Sequence, residues 1–101
     1  MGIDVVGPDE AISAQTRAYA EYRVFDALAK HTQRVRCVRI VLRHANQSDS
    51  CGACTCEVSV FLEPAGRVRI RAGGTHPYAA INHAVERMAI AVTRRVERAP
   101  T

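Results

Sequence analysis

The stretch from Gly73 to Arg98 constrains this chain more than any other. Gly73-Gly74 permits a sharp backbone path out of a preceding strand. Thr75 or His76 stands where a helix cap belongs. Pro77 takes the first helical position, where its missing N–H costs nothing. Ile81, Ala84, Val85, Met88 and Val92 then recur on one face at helical spacing. At about 100° per residue, His83, Arg87, Arg94 and Arg98 line one flank, while Asn82, Glu86, Thr93 and Glu97 gather on the other. Such a helix lies on a sheet and presents its cations sideways.

The sheet is legible in the rest of the chain. Ile3-Asp4-Val5-Val6 reads as a short first strand closed by Gly7-Pro8. Ser13 offers an N-cap for a helix running to about Lys30, with Ala20, Val24, Ala27 and Leu28 as its apolar stripe. Tyr22 and Phe25 widen that stripe, and spacing alone leaves open whether they face the core or a partner. Tyr19 and Tyr22 have rings suited to stacking on bases, but packing at the core margin is the expected role. Val35 to Arg43 alternates, with Val38, Ile40 and Leu42 one way and Arg39, Val41 and Arg43 the other. A polar connection, Ala45 to Ser50, leads to Cys54–Leu62, where Cys54, Cys56, Val58, Val60 and Leu62 share one face. After the Pro64-Ala65-Gly66 turn, Arg67 to Ala72 points Arg67, Arg69 and Arg71 outward.

The order is strand, helix, three strands, helix. Tight hairpins make two pairings antiparallel, and the helical crossover leaves the first strand parallel to its neighbour. The expected architecture is an α+β two-layer sandwich, a four-stranded mixed sheet with two helices on one face. At 101 residues the chain fits a single domain, 1–101, with enough apolar content for one core. No signal-peptide pattern or membrane-length apolar run is evident, so a soluble, cytoplasmic protein with no membrane partner is expected. The net charge is +4, carried by thirteen arginines and Lys30 against ten acids. That balance is compatible with RNA.

Little in the sequence suggests catalysis. His31, His44, His76 and His83 are scattered, with no carboxylate placed to orient one beside a thiol. There is no Gly-rich phosphate loop and no pair of carboxylates in a cleft. No enzyme, cofactor, metal or small-molecule substrate is expected. The sharpest local pattern is Cys51-Gly-Ala-Cys54-Thr-Cys56, whose first two thiols have C-x-x-C spacing. A zinc site would need Cys37 or His44 to converge, yet Cys56 and Cys37 have opposite strand parities. A Cys51–Cys54 disulfide conflicts less with that geometry, and packed thiols conflict least. Two basic surfaces remain: the helix flank, and a second set of outward arginines at Arg39, Arg43, Arg67, Arg69 and Arg71.

The chain resembles the ribosome hibernation-promoting factor and ribosome-associated inhibitor A family in its short, single-domain form. The resemblance runs from Ile12-Ser13 through Arg17-x-Tyr19 to Arg23-Val24, and then to Val38-Arg39-Ile40-Val41-Leu42. It is clearest at Tyr78-Ala79-Ala80-Ile81-Asn82, followed by Glu86-Arg87-Met88. It implies a domain that binds the small ribosomal subunit and its rRNA, occupies the decoding region and holds ribosomes inactive. Carried over by position, Arg23, Arg87 and Arg94 match basic sites of the family, and Arg95 lies close by. His83 and Arg98 join them on the flank. Ile90 stands where the family commonly has an arginine, His76 replaces an acidic cap, and the cysteine cluster is not a family feature. With the chain ending at Thr101, ribosome pairing by a further domain is not expected, and a monomer or weak homodimer is. Alternative roles are a self-associating module using Ile90, Phe61, Tyr22 and Phe25, or a thiol- or metal-responsive domain using Cys51, Cys54 and Cys56.

Overall fold

The computed structural model describes residues 1–7, 13–44, 54–64 and 66–98. Strand β1 (Gly2–Val6) leads to helix α1 (Ala14–Ala27) and a 3-10 turn (Ala29–His31). Strands β2 (Val35–His44), β3 (Cys54–Leu62) and β4 (Gly66–Gly74) follow, and helix α2 (Pro77–Arg98) completes the order. The sheet runs β1-β2-β3-β4, with β1 parallel to β2 and the other two pairings antiparallel. This is the mixed α+β sheet that the sequence pattern predicts.

Side-chain alternation places the core. Along β3, Cys54, Cys56, Val58, Val60 and Leu62 are buried, and the residues between them are half-buried. Val38, Ile40 and Leu42 of β2 and Val68 of β4 share the buried face. Against it pack Ala20 and Val24 of α1, Leu28, and Ile81, Ala84, Val85, Met88 and Val92 of α2. Each large aliphatic side chain so buried contributes about 1.5–3 kcal/mol. Helix α2 lies over β3 and β4, while α1 packs on β1 and α2.

Three local readings change. Helix α1 stops at Ala27 because the chain tightens around buried Leu28, whose carbonyl accepts from His31 N–H at 2.9 Å, an i→i+3 bond. Tyr22 and Phe25 are 65% and 56% exposed, so neither belongs to the buried stripe and Tyr22 does not pack at the core margin. Strand β4 runs on through Gly73 and Gly74, and the turn begins only at Thr75. What Gly74 supplies is room: a Cβ there would lie 2.7 Å from the Ala80 nitrogen and 2.9 Å from Ala79 Cβ. Of the two candidates for the α2 cap, His76 makes the contacts. Its Nδ1 accepts from Tyr78 N–H at 3.1 Å and its carbonyl accepts from Ala80 N–H at 3.1 Å. At α1 the expected cap forms, with Thr16 N–H donating to Ser13 Oγ at 3.0 Å. The connection at 45–50 and Cys51 lie outside the described residues.

Candidate nucleic-acid interface

The basic flank of α2 sits along the edge of the sheet. β4 is an edge strand, and α2 side chains bond its carbonyls. His83 Nδ1 donates to Gly73 O at 3.1 Å, which requires the proton on Nδ1, and Arg87 Nη1 donates to Arg71 O at 3.3 Å. These bonds occupy polar groups that would otherwise invite another strand. They also fix the flank relative to the sheet. Arg94 and Arg98 stand exposed farther along the same flank. Between helix and strand runs an open groove of about 350 Å³ lined by Ile70, Arg87, Ile90, Ala91 and Arg94. Ile90, 56% exposed, puts an apolar side chain among those cations. Arg95 is exposed and turned toward the start of β4, its Nη1 3.6 Å from where a Cβ on Gly66 would lie.

Arg23 is placed apart from this set. It is half-buried in the seam between the helices, where its Nε donates to Asn82 Oδ1 at 3.0 Å. The same oxygen accepts from Tyr19 OH at 2.7 Å, and the Tyr19 ring stacks on Tyr78. His31 Nε2 and Thr93 Oγ1 lie 3.4 Å apart farther along. Tyr19 is therefore a packing residue, the role expected of it. Arg17 is also engaged, its Nη1 donating to Val5 O at 2.7 Å. Besides Ala14, Gln15, Arg17 and Ala18 in its first half, α1 turns Glu21, Tyr22, Phe25 and Asp26 to solvent. Sequence reasoning missed this seam, because nothing local to Arg23 or Tyr19 points to a partner in the last third of the chain.

The second set of arginines lies on the open sheet face in two banks. Arg39 and Arg43 stand on β2, and Arg67, Arg69 and Arg71 on β4, all exposed. Between them β3 presents Thr55, Glu57, Ser59 and Phe61. Cross-strand register puts Arg43 and Gly73 beside Thr55, Arg39 and Arg69 beside Ser59, and Arg71 beside Glu57. No two of these arginines are directly paired, which avoids the like-charge pairs that destabilise sheets. Arg69 Nε bonds Glu57 Oε1 at 3.0 Å, and the Arg67 guanidinium lies 5.9 Å from the Phe61 ring centroid. Val41, Arg43, Thr55, Glu57, Arg69 and Arg71 line a hollow of about 300 Å³.

The cysteines divide as their parities imply. Cys56 is buried under the helices and Cys37 is exposed on the opposite face. Burial, reinforced by the neighbouring Glu57 charge, pushes the Cys56 thiol up to about 12, and burial also raises Cys54. A thiol that holds its proton this firmly is a poor nucleophile and a poor metal ligand. Among the described residues no three His, Cys, Asp or Glu side chains converge as a metal site would require. The pairing of Cys51 with Cys54 falls outside them.

The chain matches the family described as Sigma 54 modulation protein / S30EA ribosomal protein over residues 3–99. Among solved structures it is similar to the Thermus thermophilus Protein Y N-terminal domain, at 27% identity and a TM-score of 0.75. That match covers 93% of this chain and 98% of the other. A ribosomal subunit interface protein from Coxiella burnetii superimposes with a TM-score of 0.81 at 14% identity, over 97% of this chain and 100% of that one. This second likeness is one of fold alone. Among curated proteins nothing matches the chain.

Proposed function

The chain belongs to the Sigma 54 modulation protein / S30EA ribosomal protein family, and from that premise we propose that it is a non-enzymatic, cytoplasmic ribosome-binding protein. It occupies the decoding region of the small subunit, contacts rRNA and holds the ribosome inactive. The observation that carries this reading is the α2 flank, where His83, Arg87, Arg94 and Arg98 face solvent beside an edge strand that α2 itself caps. Arg95 extends the positive surface toward β4. Arg23, held by Asn82, positions the first helix and contributes its charge from the seam. The likeness to Protein Y at 27% identity supports the same reading. Among the described residues no helix is long and apolar enough to cross a membrane. The protein acts as a monomer or weak homodimer.

Phosphate neutralisation by arginine makes such binding salt-dependent, with log K falling by about 0.7–0.9 per contact for each decade of salt. The test is co-sedimentation with small subunits at two salt concentrations. Arg87→Glu with Arg94→Glu abolishes pelleting while far-ultraviolet circular dichroism stays unchanged. Wild-type pelleting by this double variant would show that the assigned surface is wrong.

A further inference from the structure

We infer that the open face of the sheet is a second RNA surface, a trough that takes an unpaired RNA strand along β3. The inference goes beyond the α2 flank, because the sheet face is turned away from the helices. The trough has a floor and two walls. Its floor is β3, whose Thr55 and Ser59 offer small hydroxyl groups, each hydroxyl both donor and acceptor. Its walls are the arginine banks of β2 and β4. On β4, successive outward arginines are two residues apart, about 6.8 Å at strand rise, so the wall presents a guanidinium at each repeat. The five arginines of this face meet two carboxylates, Asp4 and Glu57. Asp4 is the register partner of Arg39, and Glu57 is already bonded to Arg69. The face is strongly positive as a result.

Charge complementarity asks for a polyanion, and the aromatic side chain at one end of the face selects among polyanions. The hollow takes two residues from each of β2, β3 and β4 and so joins the two arginine banks across β3. At one end the Arg67 guanidinium lies over the Phe61 ring, so a cation and an aromatic side chain stand together where an unpaired base can stack. A positive groove with an aromatic platform is how single-stranded nucleic acid is bound without sequence preference. An acidic peptide would use the walls but gain nothing from the ring.

The experiment uses the whole chain and a fluorescent twelve-nucleotide oligouridine, with affinity read by anisotropy over a salt series. Wild type binds. Arg43→Ala with Arg71→Ala lowers the slope of log K against log salt by about 1.4, two contacts at about 0.7 each for a single strand. The dissociation constant rises about tenfold or more, while the melting temperature is kept. Arg43→Lys with Arg71→Lys keeps the slope, since the charges remain. No oligouridine binding by wild type, or an unchanged slope in the alanine variant, overturns the inference. So does competition by polyglutamate as effective as that of unlabelled oligouridine at equal charge. Ribosome pelleting of the Arg87→Glu, Arg94→Glu variant is read separately, so either surface can fail while the other stands.

Discussion

Tyr19 of α1 and Tyr78 of α2 stack with ring centroids 4.1 Å apart and planes within 9° of parallel. One turn along α2, Asn82 Oδ1 accepts from Tyr19 OH and from Arg23 Nε. The Tyr78-Ala79-Ala80-Ile81-Asn82 run thus has a physical explanation. Tyr78 and Asn82 hold α1, Ala79 and Ala80 allow the close approach to Gly74, and Ile81 enters the core. Tyr19→Phe removes only the hydroxyl and costs about 0.5–1.5 kcal/mol. In an Asn82→Ala background the same change costs close to nothing, because the acceptor is already gone. Urea unfolding of the four proteins in the cycle checks this, and equal losses in both backgrounds would contradict the seam.

Gly74 gives the second prediction. A methyl group there meets the backbone of the first turn of α2, at 2.7 Å from the Ala80 nitrogen, and backbone cannot swing aside as a long side chain does. Gly74→Ala costs about 1–3 kcal/mol, the usual range for forcing an atom into a packed site. Gly2→Ala, with nothing within 4 Å of its Cβ, leaves the unfolding midpoint near wild type. Similar midpoints for the two variants would show that α2 can lift from β4 at little cost.

Residues whose role is set by periodicity were legible, and those whose role is set by a distant partner were not. The start of α2 follows from the cap and Pro77, and its core face from the apolar repeat through Val92. The parity of β3 alone sorted Cys56 from Phe61. In α1 the apolar residues occur on more than one face, so a 3.6-residue period does not say that Tyr22 and Phe25 point outward. Arg23 looked like any helical arginine until Asn82, far along the chain, came to bond it. The two arginine sets were visible separately. Only the register shows that they border the same strand, with Arg71 lending its carbonyl to Arg87 and its side chain to the open face.

Cys56 sets an alkaline limit on stability. Its folded thiol is pushed from near 9.0 up to about 12, chiefly by burial and then by Glu57. Between those values the unfolded chain has lost the proton that the folded chain keeps. The unfolded state then binds fewer protons, so stability falls as pH rises, by at most about 1.4 kcal/mol per pH unit. The contribution is fully present below about pH 9. Wild type therefore loses stability more steeply than Cys56→Ala between pH 9 and 11, measured by denaturant unfolding. Parallel curves for the two proteins would place Cys56 outside the linkage.

Ile90 carries the last prediction. It stands more than half exposed, in the groove that Arg87 and Arg94 border. An exposed isoleucine contributes little to the fold, so Ile90→Arg leaves the unfolding midpoint within a few degrees of wild type. The new guanidinium would stand between two existing ones. In the free protein this adds repulsion that salt screens, whereas beside phosphates it adds a contact. The two settings move in opposite directions with salt and can be separated. Melting of the free variant should improve slightly as salt rises. Its affinity for small subunits should exceed wild type at low salt, with a slope steeper by about 0.7–0.9, one added phosphate contact. An unchanged slope, with binding otherwise intact, would mean that RNA does not reach the middle of the α2 flank and that the contact lies toward His83 or Arg98 instead.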